Sequence, residues 1–355
     1  MNWKQIAAAV SADAALILGE INRRYMTGFP ASDGTVALTR DEAVFYTDSR
    51  YIEAAQAAVK NMPVIEPKAG AYDDAIALFR ARGVKTVAVE TDVITVEQFR
   101  RLRDVFGKAD ITVVDSSTLS DALRKARAVK TREQLDAMIR AQRIAEAAFE
   151  TLKGEITPGK TEKQLQLRLD YLMLSMGAEA LSFETITAAG ENGSKPHAVP
   201  SDRPVREGEF ITFDFGAVVD GYHSDMTRTV CLGKCADDMR RIYELVLRAQ
   251  LAVIDGAKAG MTCRDADALA RDIITAAGYG DYYRHGTGHS VGLEIHEPPF
   301  VSPRSRDVLQ PGNVVTAEPG VYLPGRFGVR IEDMIYITED GCIDLTESEK
   351  QLIEL

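Results

Sequence analysis

One strand-like stretch of the sequence carries acids where a sheet would bury apolar groups. In FITFDFGAVVDGYHSDMTRTV, Ile211, Phe213 and Phe215 alternate with Thr212, Asp214 and Gly216, so Asp214 points to the face opposite the aromatics. Asp220-Gly221 has the composition of a two-residue hairpin turn. With that turn, Val219 lies opposite Tyr222 and the antiparallel register brings Gly216 opposite Asp225. Asp225 then becomes the diagonal neighbour of Asp214 on the same face, and Gly216 leaves the space beside them open. Two ionised carboxylates held together in a half-buried sheet repel, and one takes up a proton unless a cation compensates them. Taken alone, the pair also allows a plainer arrangement in which one carboxylate faces solvent.

Further candidates follow downstream. RHGTGHSVGLEIHEPP, VVTAEPGV and FGVRIEDM place His289, Glu318 and Glu332 beside strand-like or glycine-rich backbone. Two divalent cations would neutralise the charges of the four carboxylates. Oxygen-rich ligation with a single imidazole suits a pair of Mn²⁺, Co²⁺, Fe²⁺ or Zn²⁺ ions and does not select one of them. The five histidines, His197, His223, His285, His289 and His296, all fall in this part of the chain. A lone histidine is more often a packed or surface residue, and the clustering is what favours a site. Cys231, Cys235, Cys263 and Cys342 form no CxxC pair and are expected to be free thiols.

The elements that must hold these residues are also legible. Through about residue 125, the β-rich runs TVALT, AVFYTD, TVAVE and ITVVD alternate with helical patterns, which predicts an α/β domain over residues 1–127. Thr131 and Gln134 make a capping box opening a long helix with an apolar stripe through Leu135, Met138, Ile139, Gln142, Ala145 and Phe149. Thr161 and Gln164 repeat that box for a second helix ending near Gly177. Strand-rich sequence then follows, with helices expected at 236–257 and 264–277, so residues 128–355 read as an α+β domain. The net charge of −11 gives no electrostatic footprint for nucleic acid and would repel an anionic membrane surface. A peptide or small-molecule partner fits better. The N-terminal apolar run is too short to span a bilayer and is interrupted by Asp13, which predicts a cytoplasmic protein.

In this order the motifs resemble those of the pita-bread metallopeptidases, in particular Xaa-Pro aminopeptidase and prolidase. YMTGFPASDG and AVFYTDSRY are similar to a creatinase-like N-terminal domain. NGSKPHAVPSDRPVREGEFITFDFGA, DGYHSDMTRT, HGTGHSVGLEIHEPP, NVVTAEPGVY and GVRIEDM are similar to the catalytic domain. The resemblance covers essentially the whole chain and implies metal ligands at Asp214, Asp225, His289, Glu318 and Glu332, with Asp225 and Glu332 able to serve both ions. It implies substrate-facing histidines at His197 and His296, and supporting or substrate-binding positions at His285, Arg330 and Phe300. Arg330 would brace the ligand carboxylates, a surface salt bridge being the alternative. His223 is expected to be structural. Creatinase shares the scaffold without the intact metal set, and no ligand position is substituted here.

The mechanism so implied has a metal-bridging hydroxide attacking the scissile carbonyl, with Glu318 as proton shuttle and His296 or His197 donating to the oxyanion. Proline in the second position removes the scissile N–H and fixes φ, so a dedicated pocket is needed. The resemblance also suggests a homodimer. Other readings are a prolidase, a metal-free hydrolase of creatinase type, and a catalytically inactive binding module. Several prolidases carry an arginine shortly after the HExP motif, and Phe300 stands at that place here. An aromatic cannot pair with a substrate carboxylate, which favours an aminopeptidase acting on Xaa-Pro-Yaa, although Arg304 or Arg306 would be able to supply the missing cation.

Overall fold

Ala14–Ile17 is buried at all four positions and forms a central strand of the first sheet. The computed structural model describes residues 3–68 and 72–355. The chain divides into two compact units, Met1–Arg127 and Ala128–Leu355.

In the first unit, strands run in the order Val64–Ile65, Ala43–Tyr46, Thr35–Thr39, Ala14–Ile17, Thr86–Val89 and Thr112–Val114. Ala14–Ile17 pairs antiparallel with Thr35–Thr39 and parallel with Thr86–Val89. Phe79, Leu102 and Phe106 from the helices pack on Leu16, Val87 and Val89. The parallel pairs require helical crossovers, which is why strand and helix patterns alternate in the sequence. The central strand itself escapes pattern reading: a short, wholly buried apolar run has no period-two signature and resembles a helix segment.

The second unit begins with helix Arg132–Lys153, capped by the reciprocal Thr131/Gln134 bonds, and continues through helix Glu162–Ser175, capped by Thr161/Gln164. Phe149 on the first helix packs against Phe213 and Phe215, with ring centroids 5.5 and 5.4 Å apart. This fixes the apolar face of strand Glu209–Phe215, which lies between Met226–Leu232 and Ile186–Ala189. A five-stranded sheet runs Glu297–Val301, Gly288–Ser290, Val314–Ala317, Asp333–Ile337 and Cys342–Asp344, and Gly320–Leu323 pairs with Phe327–Arg330. Helices Asp237–Gly256 and Cys263–Ala276 share a core with Val329, Ile331 and Ile335. An antiparallel bridge, Thr227 to Glu332, ties the two sheet systems together beside the acids. The four cysteines are free. Among the described residues, no helix is long and apolar enough to cross a membrane.

Candidate metal centre and active site

The hairpin forms in the expected register. Asp220 and Gly221 take positive φ values of 52° and 80°, as a two-residue primed turn requires. Val219 lies opposite Tyr222, and the same register continues to Phe215 opposite Met226 and Asp214 opposite Thr227. Asp225 is thereby the diagonal neighbour of Asp214. A Cβ on Gly216 would sit 1.9 Å from the Ser224 carbonyl oxygen, so only glycine permits this approach of the two strands.

The other ligand candidates arrive from the facing sheet. Asp225, His289 and Glu332 are buried, and each offers a donor atom within 4.8 Å of the others. Glu318 adjoins this cluster: its Oε1 and Asp225 Oδ2 each lie 3.5 Å from His289 Nε2. Asp214 stands beside them with Oδ2 held by Arg330 Nη2 at 2.5 Å. His289 Nδ1 is 3.1 Å from the Ser290 carbonyl, which can only accept, so the proton is on Nδ1 and the Nε2 lone pair faces the acids. The Oδ1 atoms of Asp214 and Asp225 are buried without a hydrogen-bond partner. Unpartnered anionic oxygens around a neutral imidazole form a donor set that fits divalent cations.

Electrostatics point the same way. Burial, followed by the charges of Asp214 and Glu318, pushes Asp225 well above the ordinary carboxylate range. Glu332 is raised well above it too, by burial first and then by Asp225, Glu318 and Asp214. Glu318 is pushed up to about 7, chiefly by burial. Burial lowers His289 to about 4, with a further contribution from His296, so its ring is neutral near pH 7. Protein alone therefore compensates this cluster by protonating acids, and bound cations would do so without protons.

That balance predicts a pH dependence. Without metal, a Glu318 whose folded pKa is about 7 against an ordinary 4.5 lends its full stability below pH 4.5 and loses it as pH rises through 7. Glutamine does not ionise. The melting temperature of chelator-treated Glu318→Gln, relative to the native sequence, is therefore expected to rise between about pH 5 and about pH 8. Thermal unfolding at the two pH values measures it, and a pH-independent difference would contradict the assignment.

Around the acids lies a cavity of about 800 Å³ lined by Asp214, Asp225, His289, Glu318 and Glu332, and also by His197, His285, His296, Phe300 and Arg330. Arg330 is buried, with 4% exposure, which removes the surface salt bridge as its explanation. Its Nη1 donates to Tyr322 Oη at 2.8 Å and its Nε to Thr227 Oγ1 at 3.0 Å, and Thr227 Oγ1 in turn donates to Glu332 Oε2 at 2.6 Å. His285 Nδ1 donates to the Gly286 carbonyl at 2.8 Å, so its Nε2 accepts from Tyr322 Oη at 3.0 Å. Burial keeps His285 neutral by lowering it to about 4 and pushes Tyr322 up to about 12, which suits these directions. His197 and His296 are exposed on the cavity wall, so core packing does not explain them. The His296 ring meets His289 edge-on at 4.3 Å. Phe300, 43% exposed, lies opposite His289 in the ladder. His223 instead bonds Ser182 Oγ through Nδ1 at 2.8 Å and does not line the cavity.

Sequence reading missed Tyr322 and Thr227. Tyr322 alternates with Val321 and Leu323 in GVYL and pairs with Gly328, a hydroxyl on the face opposite two buried aliphatics. That alternation was the available signal. Thr227 gave none, since a strand threonine is ordinary.

The family model for Metallopeptidase family M24 matches residues 136–339, and that for the Creatinase/Prolidase N-terminal domain matches residues 2–126. The chain belongs to metallopeptidase family M24, and it is a metal-dependent hydrolase with a creatinase-type N-terminal domain and a pita-bread catalytic fold. The Xaa-Pro dipeptidase of Pyrococcus furiosus is 37% identical over 97% of this chain and 96% of its own. The solved Xaa-Pro dipeptidase from Bacillus anthracis superposes with a TM-score of 0.93 at 38% identity, covering 99% of this chain and 98% of that one. The X-Pro aminopeptidase from Thermotoga maritima does so at 0.92 with 33% identity, covering 99% and 100%.

Proposed function

We propose that this chain is a two-metal Xaa-Pro aminopeptidase, removing the N-terminal residue from peptides with proline in the second position. The observation that carries it is the convergence of Asp225, His289 and Glu332, flanked by Asp214 and Glu318, in one cavity where the Oδ1 atoms of Asp214 and Asp225 lack partners. On this reading the five residues hold two divalent ions, and residues 1–127 and 128–355 are the N-terminal and catalytic domains. The bound ions, manganese among the candidates, supply Lewis acidity and a nucleophile at neutral pH. Glu318 takes the proton released on attack and returns it to the leaving proline nitrogen, a role its carboxylate can fill from the cavity wall beside Asp225 and His289. His296 or His197, open to the cavity, donates an N–H to the developing oxyanion. Arg330 pairs with Asp214 and orients it. A homodimer is part of the same proposal.

Relatives named dipeptidase and relatives named aminopeptidase both resemble the chain, so the choice of substrate length rests on Phe300. Its ring offers apolar surface and no cation where a dipeptide would place its carboxylate, which favours a longer peptide. Metal-reconstituted protein is expected to cleave Ala-Pro-Ala with higher kcat/KM than Ala-Pro. A clear preference for Ala-Pro would make it a prolidase and leave the metal chemistry unchanged. Cleavage of neither would overturn the proposed function.

A further inference from the structure

His289 and Glu318 reach the cavity from two different segments, yet both hang on one buried residue outside it. Glu318 N donates to the Thr287 carbonyl at 2.8 Å, and His289 follows Thr287 by two residues. Thr287 has no exposed surface. Its backbone N–H and its hydroxyl both donate to Asp267 Oδ1, at 3.0 and 2.8 Å, and the Tyr283 hydroxyl lies 2.7 Å from the same threonine oxygen. Asp267 belongs to helix Cys263–Ala276, and Arg271, one turn further on, grips it with two parallel bonds of 2.6 and 2.8 Å. The same guanidinium donates to the carbonyls of Tyr283 and His285, at 2.9 and 2.7 Å, and sits 4.2 Å from the Tyr283 ring centroid. One ion pair on one helix thus fixes the backbone of the loop from Tyr283 to Thr287 at both ends.

The remaining acids have other supports. Asp214 is held by Arg330. Glu332 is held by the Thr227 hydroxyl, while Arg228 donates to the backbone carbonyls of both Thr227 and Glu332, at 2.9 and 2.8 Å. Asp225 is placed by the hairpin register. Among the described residues, no bond of Asp267 or Arg271 goes to these three acids or to Arg228 and Arg330. The direct supports of the two halves of the centre therefore differ, and they meet only at one remove, where the His285 ring accepts from the Tyr322 hydroxyl that Arg330 also holds.

We propose that Asp267 and Arg271 are positioning residues for the His289 and Glu318 half of the centre, and that they set the affinity of one bound ion without setting that of the other. This rests on the two-metal reading above. A guanidinium suits the task because its planar fork reaches a carboxylate and two carbonyls at once, and an ammonium in its place keeps the charge but loses that geometry. A rotation of the Thr287 peptide would move both the His289 ring and the Glu318 backbone, and ligand orientation by such outer partners governs metal affinity.

The test is calorimetric titration of chelator-stripped protein with Mn²⁺, comparing the native sequence with Arg271→Lys and Thr287→Val. The second variant keeps volume and the peptide N–H, so it covers the case in which the first does not fold. Two binding events are expected for the native sequence. In each folded variant one event weakens about tenfold and the other is unchanged. Equal weakening of both events, or no weakening of either in a folded variant, would overturn the positioning role. A native protein that binds no metal would instead overturn the two-metal reading itself.

Discussion

Glu332→Gln is expected to fold, to lose at least one of the two ions, and to lose turnover by at least about 10²-fold. The lower bound is the cost of disturbing an outer partner of a metal ligand, and removal of a ligand charge exceeds it. Glu332 has 2% exposure, and its Oε2 already accepts from the Thr227 hydroxyl, so a neutral amide leaves a cation with one fewer anionic oxygen in a desolvated place. Folding is spared for a reason visible in the metal-free protein. Burial and three neighbouring carboxylates make ionised Glu332 unfavourable there, and glutamine removes that repulsion. Metal content and turnover of the purified variant decide the matter. A variant that retains two ions as tightly as the native chain would remove Glu332 from the ligand set.

Alanine at His197 or at His296 is expected to produce the opposite pattern, with metal and fold retained and turnover reduced by roughly 10². Both rings are exposed on the cavity wall, so their removal opens no core cavity. Neither belongs to the cluster of mutually close donor atoms. Burial lowers His296, which leaves it neutral near pH 7 with one N–H available to a developing oxyanion. An interaction made only in the transition state should lower kcat and kcat/KM together, and single-substrate kinetics with an Xaa-Pro-Yaa peptide would show that. Near-native turnover in both variants would show that neither histidine acts on the substrate.

Much of this site was legible because strand geometry is a strong constraint. Alternation placed Asp214 opposite the aromatics, the Asp-Gly turn fixed the register, and the register brought Asp225 beside Asp214. The two capping boxes opened their helices for an equally local reason. What pattern reading missed is non-local. Tyr322 matters because its hydroxyl meets Arg330 and His285, which come from different segments, and Asp267 matters because a loop twenty residues later folds back onto it. The central strand Ala14–Ile17 was missed for another reason, since burial on both faces erases the alternation that marks a strand.

The most direct test is elemental analysis of the purified native protein after stripping with chelator, reconstitution with Mn²⁺ and removal of free ion. A carboxylate cluster in which burial and neighbouring acids drive Asp225 and Glu332 toward protonation, with two oxygens left unpartnered, should take up divalent cations avidly. The expected result is two ions per chain. Metal at background level in folded protein would contradict the account.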